Sequence, residues 1–194
     1  MKETASETER HPLHPFLPEG SRLLMLGSFP PPHHRWSMEF FYPNPLNDMW
    51  RIFGHIFFGD KNHFYDINAK SFRKQQLETF LAEKGIAIFD TATVVRRLHD
   101  NASDQFLEIV EPTDIAALLH DIPLCHTIIT TGGRATEEIC RRYDLKTPCL
   151  GASVIIPRLD VTLYRMPSSS RSYPLKLEKK AEYYRNIFEA LDMV

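Results

Sequence analysis

Apolar residues along this chain fall into two patterns, short unbroken runs and stripes spaced three and four apart, and the two patterns alternate. Leu23, Leu24, Met25 and Leu26 form a run that stops at Gly27-Ser28 and the prolines Pro30, Pro31 and Pro32. A run so short, closed by turn residues, predicts a buried strand over 22–26. Leu46, Met49, Trp50, Phe53, Ile56 and Phe57 recur at helical spacing and predict a helix. A second helix is predicted over 72–84, with Gly85 placed to end it. Strands follow at 86–89 and 126–130, with a short helix at 113–119 between them, then a Gly132-Gly133 turn and a helix over 134–143. Runs at 153–156 and 161–164 flank Pro157 as a hairpin would. Leu177, Ala181, Tyr184, Ile187, Phe188 and Leu191 make the apolar stripe of a last helix that must pack on the sheet.

Strands alternating with helices predict a parallel sheet. The expected fold is α/β: three layers, α/β/α, around a central, mainly parallel four-stranded sheet. Residues 21–194 form one domain in this reading, and 1–20, with His11-Pro12 and His14-Pro15 among charges, a flexible arm. A chain of 194 residues with 43% hydrophobic and 25% charged residues can bury such a core, which argues against large-scale disorder. No run approaches the ~18 apolar residues of a membrane span, and the polar start does not look like a signal peptide. A cytoplasmic monomer is the expectation. Cys125, Cys140 and Cys149 are odd in number and far apart, so they are expected as reduced thiols in or near the core.

A formal net charge of -2 speaks against a dedicated nucleic-acid binder, but charge is unevenly placed. From 158 to 185, seven Arg or Lys face three Asp or Glu, a local +4 that includes Arg171, Lys179 and Lys180. That segment suits contact with phosphates over one small face, or is a solvated helix face. Just ahead of the last helix, Ser168, Ser169 and Ser170 offer hydroxyls and backbone N–H groups of the kind that hold phosphate. The first strand ends at Gly27-Ser28, where open α/β sheets bind ligands. An aromatic and amide loop, from Phe41 to Trp50, runs straight into the first helix.

Gly27-Ser28-Phe29-Pro30, then Tyr42, Pro45, Asn47 and Trp50, then Pro167-Ser168-Ser169-Ser170 stand in one order and spacing. Together they resemble the uracil-DNA glycosylase superfamily, and most closely its hypoxanthine-DNA glycosylase-like branch. The segments at 85–90 and 128–135 resemble that family's second and third core strands. The resemblance runs from about Leu23 to the last helix. It implies an enzyme that hydrolyses the N-glycosidic bond of a flipped-out deaminated base in damaged double-stranded DNA, the first step of base excision repair. Neither a cofactor nor a metal is implied, and the three cysteines do not fit the four-ligand iron-sulfur branches.

On its own chemistry Asn47 reads first as a helix cap; the resemblance makes it instead the catalytic group, orienting water and steadying the leaving base. Ser28 and Phe29 would line the base pocket. Phe29 stands where the wider superfamily has an Asp or Asn that holds the attacking water, a role a phenyl ring cannot perform. Tyr42 would stack on the base, unless it is a core aromatic like its neighbours Phe40 and Phe41. Asp90 would read the base edge, accepting N1–H of hypoxanthine or N3–H of uracil; it also reads as a water-activating base, or as a turn residue. Ser168, Ser169 and Ser170 would hold phosphate, and Arg171 is the wedge candidate. Met166 replaces the His of uracil-specific relatives, which ranks hypoxanthine ahead of uracil. The alternatives are a noncatalytic DNA or nucleotide-binding module of the same fold and a hydrolase of free nucleosides. His33-His34 and the His11/His14 pair lack the partners of a zinc site, and Thr131-Gly132-Gly133-Arg134 lacks the Lys-Ser/Thr of a P-loop.

Overall fold

The computed structural model describes residues 8–97 and 107–194. In chain order the elements are β1 (Thr8–Arg10), β2 (Leu23–Gly27), α1 (Met49–Phe58), β3 (Tyr65–Asp66), β4 (Ser71–Phe72), α2 (Lys74–Lys84), β5 (Ile86–Asp90), β6 (Ala92–Arg97), β7 (Leu107–Pro112), α3 (Ile115–Asp121), β8 (Thr127–Thr130), α4 (Gly133–Arg142), β9 (Ser153–Ile156), β10 (Val161–Arg165) and α5 (Leu177–Ala190). A short 3₁₀ turn, His33–Arg35, precedes α1. The central sheet has the order β5-β2-β8-β10-β9. The four strands β5, β2, β8 and β10 run parallel, as the alternation predicts, and β9 adds an antiparallel edge through its hairpin with β10. The sheet therefore has five strands rather than four: β10 uses one edge for β8, and its other edge pairs with β9, the preceding arm of the hairpin. Among the described residues, no helix is long and apolar enough to cross a membrane.

A second, antiparallel sheet of order β1-β6-β7 was not legible in the chain. β1 reads Thr-Glu-Arg and has no apolar signal; it is held by backbone pairing to β6 and by Arg97, which donates to Glu9 at 2.8 and 3.0 Å. Residues 8–20 are thus bound to the body, in contrast to the expected loose arm. His11 N–H donates to the Thr93 carbonyl at 2.8 Å, and Phe16 bridges Ile88 of β5. Residues 1–7 of that arm lie outside the described residues.

Helix positions follow the stripes closely, with two differences that matter. α2 begins at Lys74, because Phe72 pairs with Tyr65 in the β3–β4 ribbon and their rings meet at 5.3 Å. α1 begins at Met49, which leaves Leu46 outside the helical stripe, 60% exposed. Phe53, Phe57, Phe80 and Phe188 bring α1, α2 and α5 together through ring contacts of 4.9 to 5.2 Å. Gly85 closes α2 at φ 68°, a conformation glycine adopts without a Cβ penalty.

Cys125 and Cys140 are buried, whereas Cys149 is exposed. Burial disfavours the thiolate, pushing Cys125 up to about 11 and raising Cys140 as well. At pH 8 a disulfide-exchange reagent should therefore modify one thiol of the folded chain quickly and all three after denaturation. Fast modification of two or more in the native state would contradict this burial.

Candidate active site

The four parallel strands end together, Gly27 beside Asp90 and Leu26 beside Thr130, with Arg165 next to Thr130. Beyond this carboxyl edge lies a cavity of about 450 Å³. Its floor comes from Gly27, Ser28 and Phe29 after β2, Asp90 at the end of β5 and Thr131 after β8; Tyr42, Asn44 and Asn47 line it too, with Ser168, Ser169 and Ser170 directly beside them through an antiparallel bridge between Asn47 and Ser170. Eight of the nine residues selected from sequence line this one space, and Arg171 does not. The parallel register is the cause, since it sends every strand's C-terminal loop to the same edge.

Gly27 and Asp90 are paired by sterics. A Cβ on Gly27 would overlap Asp90 Oδ1 and stand 3.3 Å from the Tyr42 hydroxyl, so a side chain here would close the cavity floor. Asp90 is 6% exposed. Its Oδ2 meets Nε2 of His11 at 2.9 Å, and its backbone carbonyl accepts from the Thr113 hydroxyl at 2.7 Å.

The aromatic run divides as the chain's chemistry requires. Phe40 and Phe41 are buried, while Tyr42 is half-buried and presents its ring to the cavity. Its hydroxyl shares a 2.8 Å hydrogen bond with Thr131, and its backbone is left-handed at φ 49°. That conformation is held from both sides: Trp50 Nε1–H donates to the Phe41 carbonyl at 3.0 Å, and Ser37 N–H and hydroxyl both donate to the Pro43 carbonyl.

Asn47 does both things its sequence allows. Its Oδ1 accepts Met49 N–H at 2.8 Å, tying down the start of α1, although Asp48 is the residue in the N-cap position. The side chain also lines the cavity. Because a backbone N–H can only donate, the atom it meets is the carbonyl oxygen, and the amino group is what Asn47 has left to donate.

Behind Asn47 lies an ion-pair cluster that sequence reasoning missed. Lys180 is fully buried, and its Nζ donates to Asp48 Oδ2 at 3.0 Å and to the Ser170 carbonyl at 2.7 Å. Asp48 N–H donates to the Ser169 carbonyl at 2.9 Å, and Tyr184 OH donates to the Pro167 carbonyl at 2.9 Å. These bonds clamp the serine loop against α1 and α5. The expectation that Lys179 and Lys180 form a solvent-facing pair is therefore corrected: Lys180 faces inward, and exposed Lys179 pairs with Glu182 at 2.9 Å. Arg171 is held at Asp48 Oδ1, 3.2 Å away, outside the cavity. The Ser168 hydroxyl accepts Ser170 N–H at 3.2 Å, and the Ser170 and Ser172 hydroxyls meet at 2.8 Å.

Phe29 is 8% exposed and packs with Ala92, Val95 and Leu107, so its ring anchors the second sheet beneath the cavity floor. Met166 is also buried, its N–H given to the Thr130 carbonyl at 2.9 Å. Three cavity-side features had no readable signal: His11, from a Pro-rich segment; Thr131, which braces Tyr42; and exposed Arg35, the cation on the cavity wall. Among the described residues, no three His, Cys, Asp or Glu side chains gather as metal ligands.

An α/β body with a mostly parallel sheet and a polar cleft at its carboxyl edge is the class these observations define. No protein-family model and no curated protein matches the chain. Among solved structures, it is similar to the solution NMR structure of a "putative uracil DNA glycosylase" from Methanosarcina acetivorans, with a TM-score of 0.63 and 21% identity over 96% of this chain and 99% of that one. At that identity the likeness establishes a shared fold.

Proposed function

We propose that this chain is a monofunctional, metal-independent DNA glycosylase that removes a flipped-out deaminated base from duplex DNA, hypoxanthine first and uracil second. One observation carries the reading: Tyr42, Asn47, Asp90 and the serine loop, far apart in sequence, converge on one cavity of about 450 Å³, within the roughly 300–1,000 Å³ of small-molecule sites. Base hydrolysis passes through a sugar of oxocarbenium character, so the site must steady positive charge on the sugar and negative charge on the base. Asp90, as a carboxylate, accepts the ring N–H of the base and sets a negative charge near the sugar. The Asn47 amino group donates to a carbonyl oxygen of the leaving base, while the second lone pair of its oxygen is available to water. Tyr42 offers a ring for stacking, worth ~1–3 kcal/mol per base. Ser168, Ser169 and Ser170 hold the phosphate beside the lesion. Met166 gives the base no hydrogen bond, which favours hypoxanthine over uracil.

Duplexes carrying one hypoxanthine, uracil, xanthine or ethenoadenine, incubated with the protein and then treated with alkali, test the proposal. Strand scission should be fastest at hypoxanthine. No scission at any of the four would leave a noncatalytic binding module, and equal hydrolysis of free inosine would indicate a nucleoside hydrolase.

Leu46 replaces Arg171 as the residue that fills the vacated stack. It is 60% exposed between the cavity residues Asn44 and Asn47, and its loop is stiffened by Leu46 N–H donating to Asn44 Oδ1 at 2.9 Å and by Arg51 donating to the Pro45 carbonyl at 2.8 Å. Apolar wedges act by supporting the unstacked duplex. Leu46→Ala should thus slow excision from paired duplex about tenfold and leave excision from single-stranded DNA nearly unchanged, because flipping costs a few kcal/mol only where a stack must open. Equal slowing on both substrates would remove Leu46 from this role.

A further inference from the structure

We infer that His11 is a positioning residue of the active site, acting through Asp90 to fix the carboxylate that meets the base. The inference rests on the glycosylase reading. Both side chains are almost completely buried, 3% exposed for His11 and 9% for Asp90. The imidazole is caged by rings of Phe89 at 4.6 Å, Phe29 at 5.2 Å and Phe41 at 6.0 Å, which leave it little room to rotate.

The hydrogen bonds define what the histidine does. Nδ1 lies 3.1 Å from the Leu13 nitrogen and 2.9 Å from the Leu13 carbonyl, so it either accepts from the backbone as a neutral ring or donates as an imidazolium. A carboxylate can only accept, so in both forms Nε2 carries the hydrogen that Asp90 Oδ2 receives at 2.9 Å. One oxygen of Asp90 is thereby committed. The other, Oδ1, is the atom poised over Gly27, where the missing Cβ leaves the cavity floor open. Without that donor the carboxylate is free to turn, and Oδ1 then no longer stands where the base's ring N–H requires an acceptor.

The segment carrying His11 is placed by its own strand. β1 pairs with β6, and Arg97 both grips Glu9 and donates to the Pro30 carbonyl at 3.1 Å, linking that strand to the loop after β2. Residues ahead of the first central strand are therefore part of the site.

The test is a double-mutant cycle on the full chain, read by single-turnover excision of hypoxanthine from duplex and by the affinity ratio for hypoxanthine-containing over undamaged duplex. His11→Phe should lower excision by about 10- to 100-fold, the range for losing one hydrogen bond to a charged group. His11→Gln, which places an amide N–H near the Nε2 position, should restore most of that loss; a merely structural role for the ring would not distinguish Gln from other polar replacements. In an Asp90→Asn background, His11→Phe should change excision by no more than about twofold, since its effect runs through the carboxylate. Thermal unfolding of each variant identifies loss through misfolding, and the Gln variant then carries the comparison. If wild type acts but His11→Phe matches it, if Gln restores nothing, or if the His11 and Asp90 effects multiply, the inference falls and the glycosylase reading stands. If wild type neither excises nor prefers any damaged duplex, the glycosylase reading falls and takes the inference with it.

Discussion

Asn47→Ala should reduce single-turnover base excision at least ~100-fold, the scale on which removal of one preorganised transition-state donor is felt. The complication is that Asn47 also ties the start of α1 through Met49 N–H, so alanine costs in addition about 1 kcal/mol of stability. Asn47→Asp separates the two roles. Aspartate keeps an oxygen for Met49 N–H, so α1 should start as before, but it brings no amino group and adds a negative charge facing a base that is itself becoming negative. The aspartate variant should therefore unfold like wild type and excise as poorly as alanine. Excision at the wild-type rate by a folded Asn47→Asp protein would remove the amino group from the mechanism and leave Asn47 as a turn residue.

The largest loss of stability is expected from Lys180→Met. Methionine fills much of the same volume, but Asp48 then remains a buried carboxylate whose other partner, Arg171, is 47% exposed and screened by solvent. Breaking a buried pair from one side typically costs about 3–5 kcal/mol, because the surviving charge stays desolvated. Arg171→Ala, at the exposed arm of the same cluster, should cost no more than about 1 kcal/mol. Urea unfolding of both variants orders them. The serine loop should loosen with Lys180, since the Ser170 carbonyl keeps only the local Tyr173 N–H and loses the donor that ties it to α5, and affinity for damaged duplex should fall in step. An Asp48→Leu/Lys180→Met double variant should regain part of the stability by removing both charges together. A Lys180→Met protein as stable as wild type would show that the cluster does not hold the loop.

These two sites also mark how far the chain can be read without its fold. Local periodicity determined much. The runs at Leu23, Ile86, Ile128 and Val161 are strands, the stripes before Gly85 and after Leu177 are helices, and β-α alternation leads to parallel strands whose C-terminal loops meet. Ser28, Phe29, Tyr42, Asn47, Asp90 and the three serines were gathered by the motif resemblance, and the parallel register is what brings the loops that carry them to one edge. Contacts without a local period were not legible. β1 is polar and binds β6 through backbone groups, which carry no sequence signature, so His11 read as part of a loose arm. The ion pair of Lys180 with Asp48 spans 132 positions, and a lysine that follows Lys179 on a helix looks solvated until the opposite surface is known. Leu46 fits a helical stripe by spacing alone; only the Asn44 turn, which delays α1 to Met49, turns it outward. Hydrophobic periodicity is written in neighbouring residues and so determined the elements and the edge where they converge. Which charge is buried and which oxygen of Asp90 is committed to His11 depend on groups brought together from distant segments, and these only the tertiary structure decided.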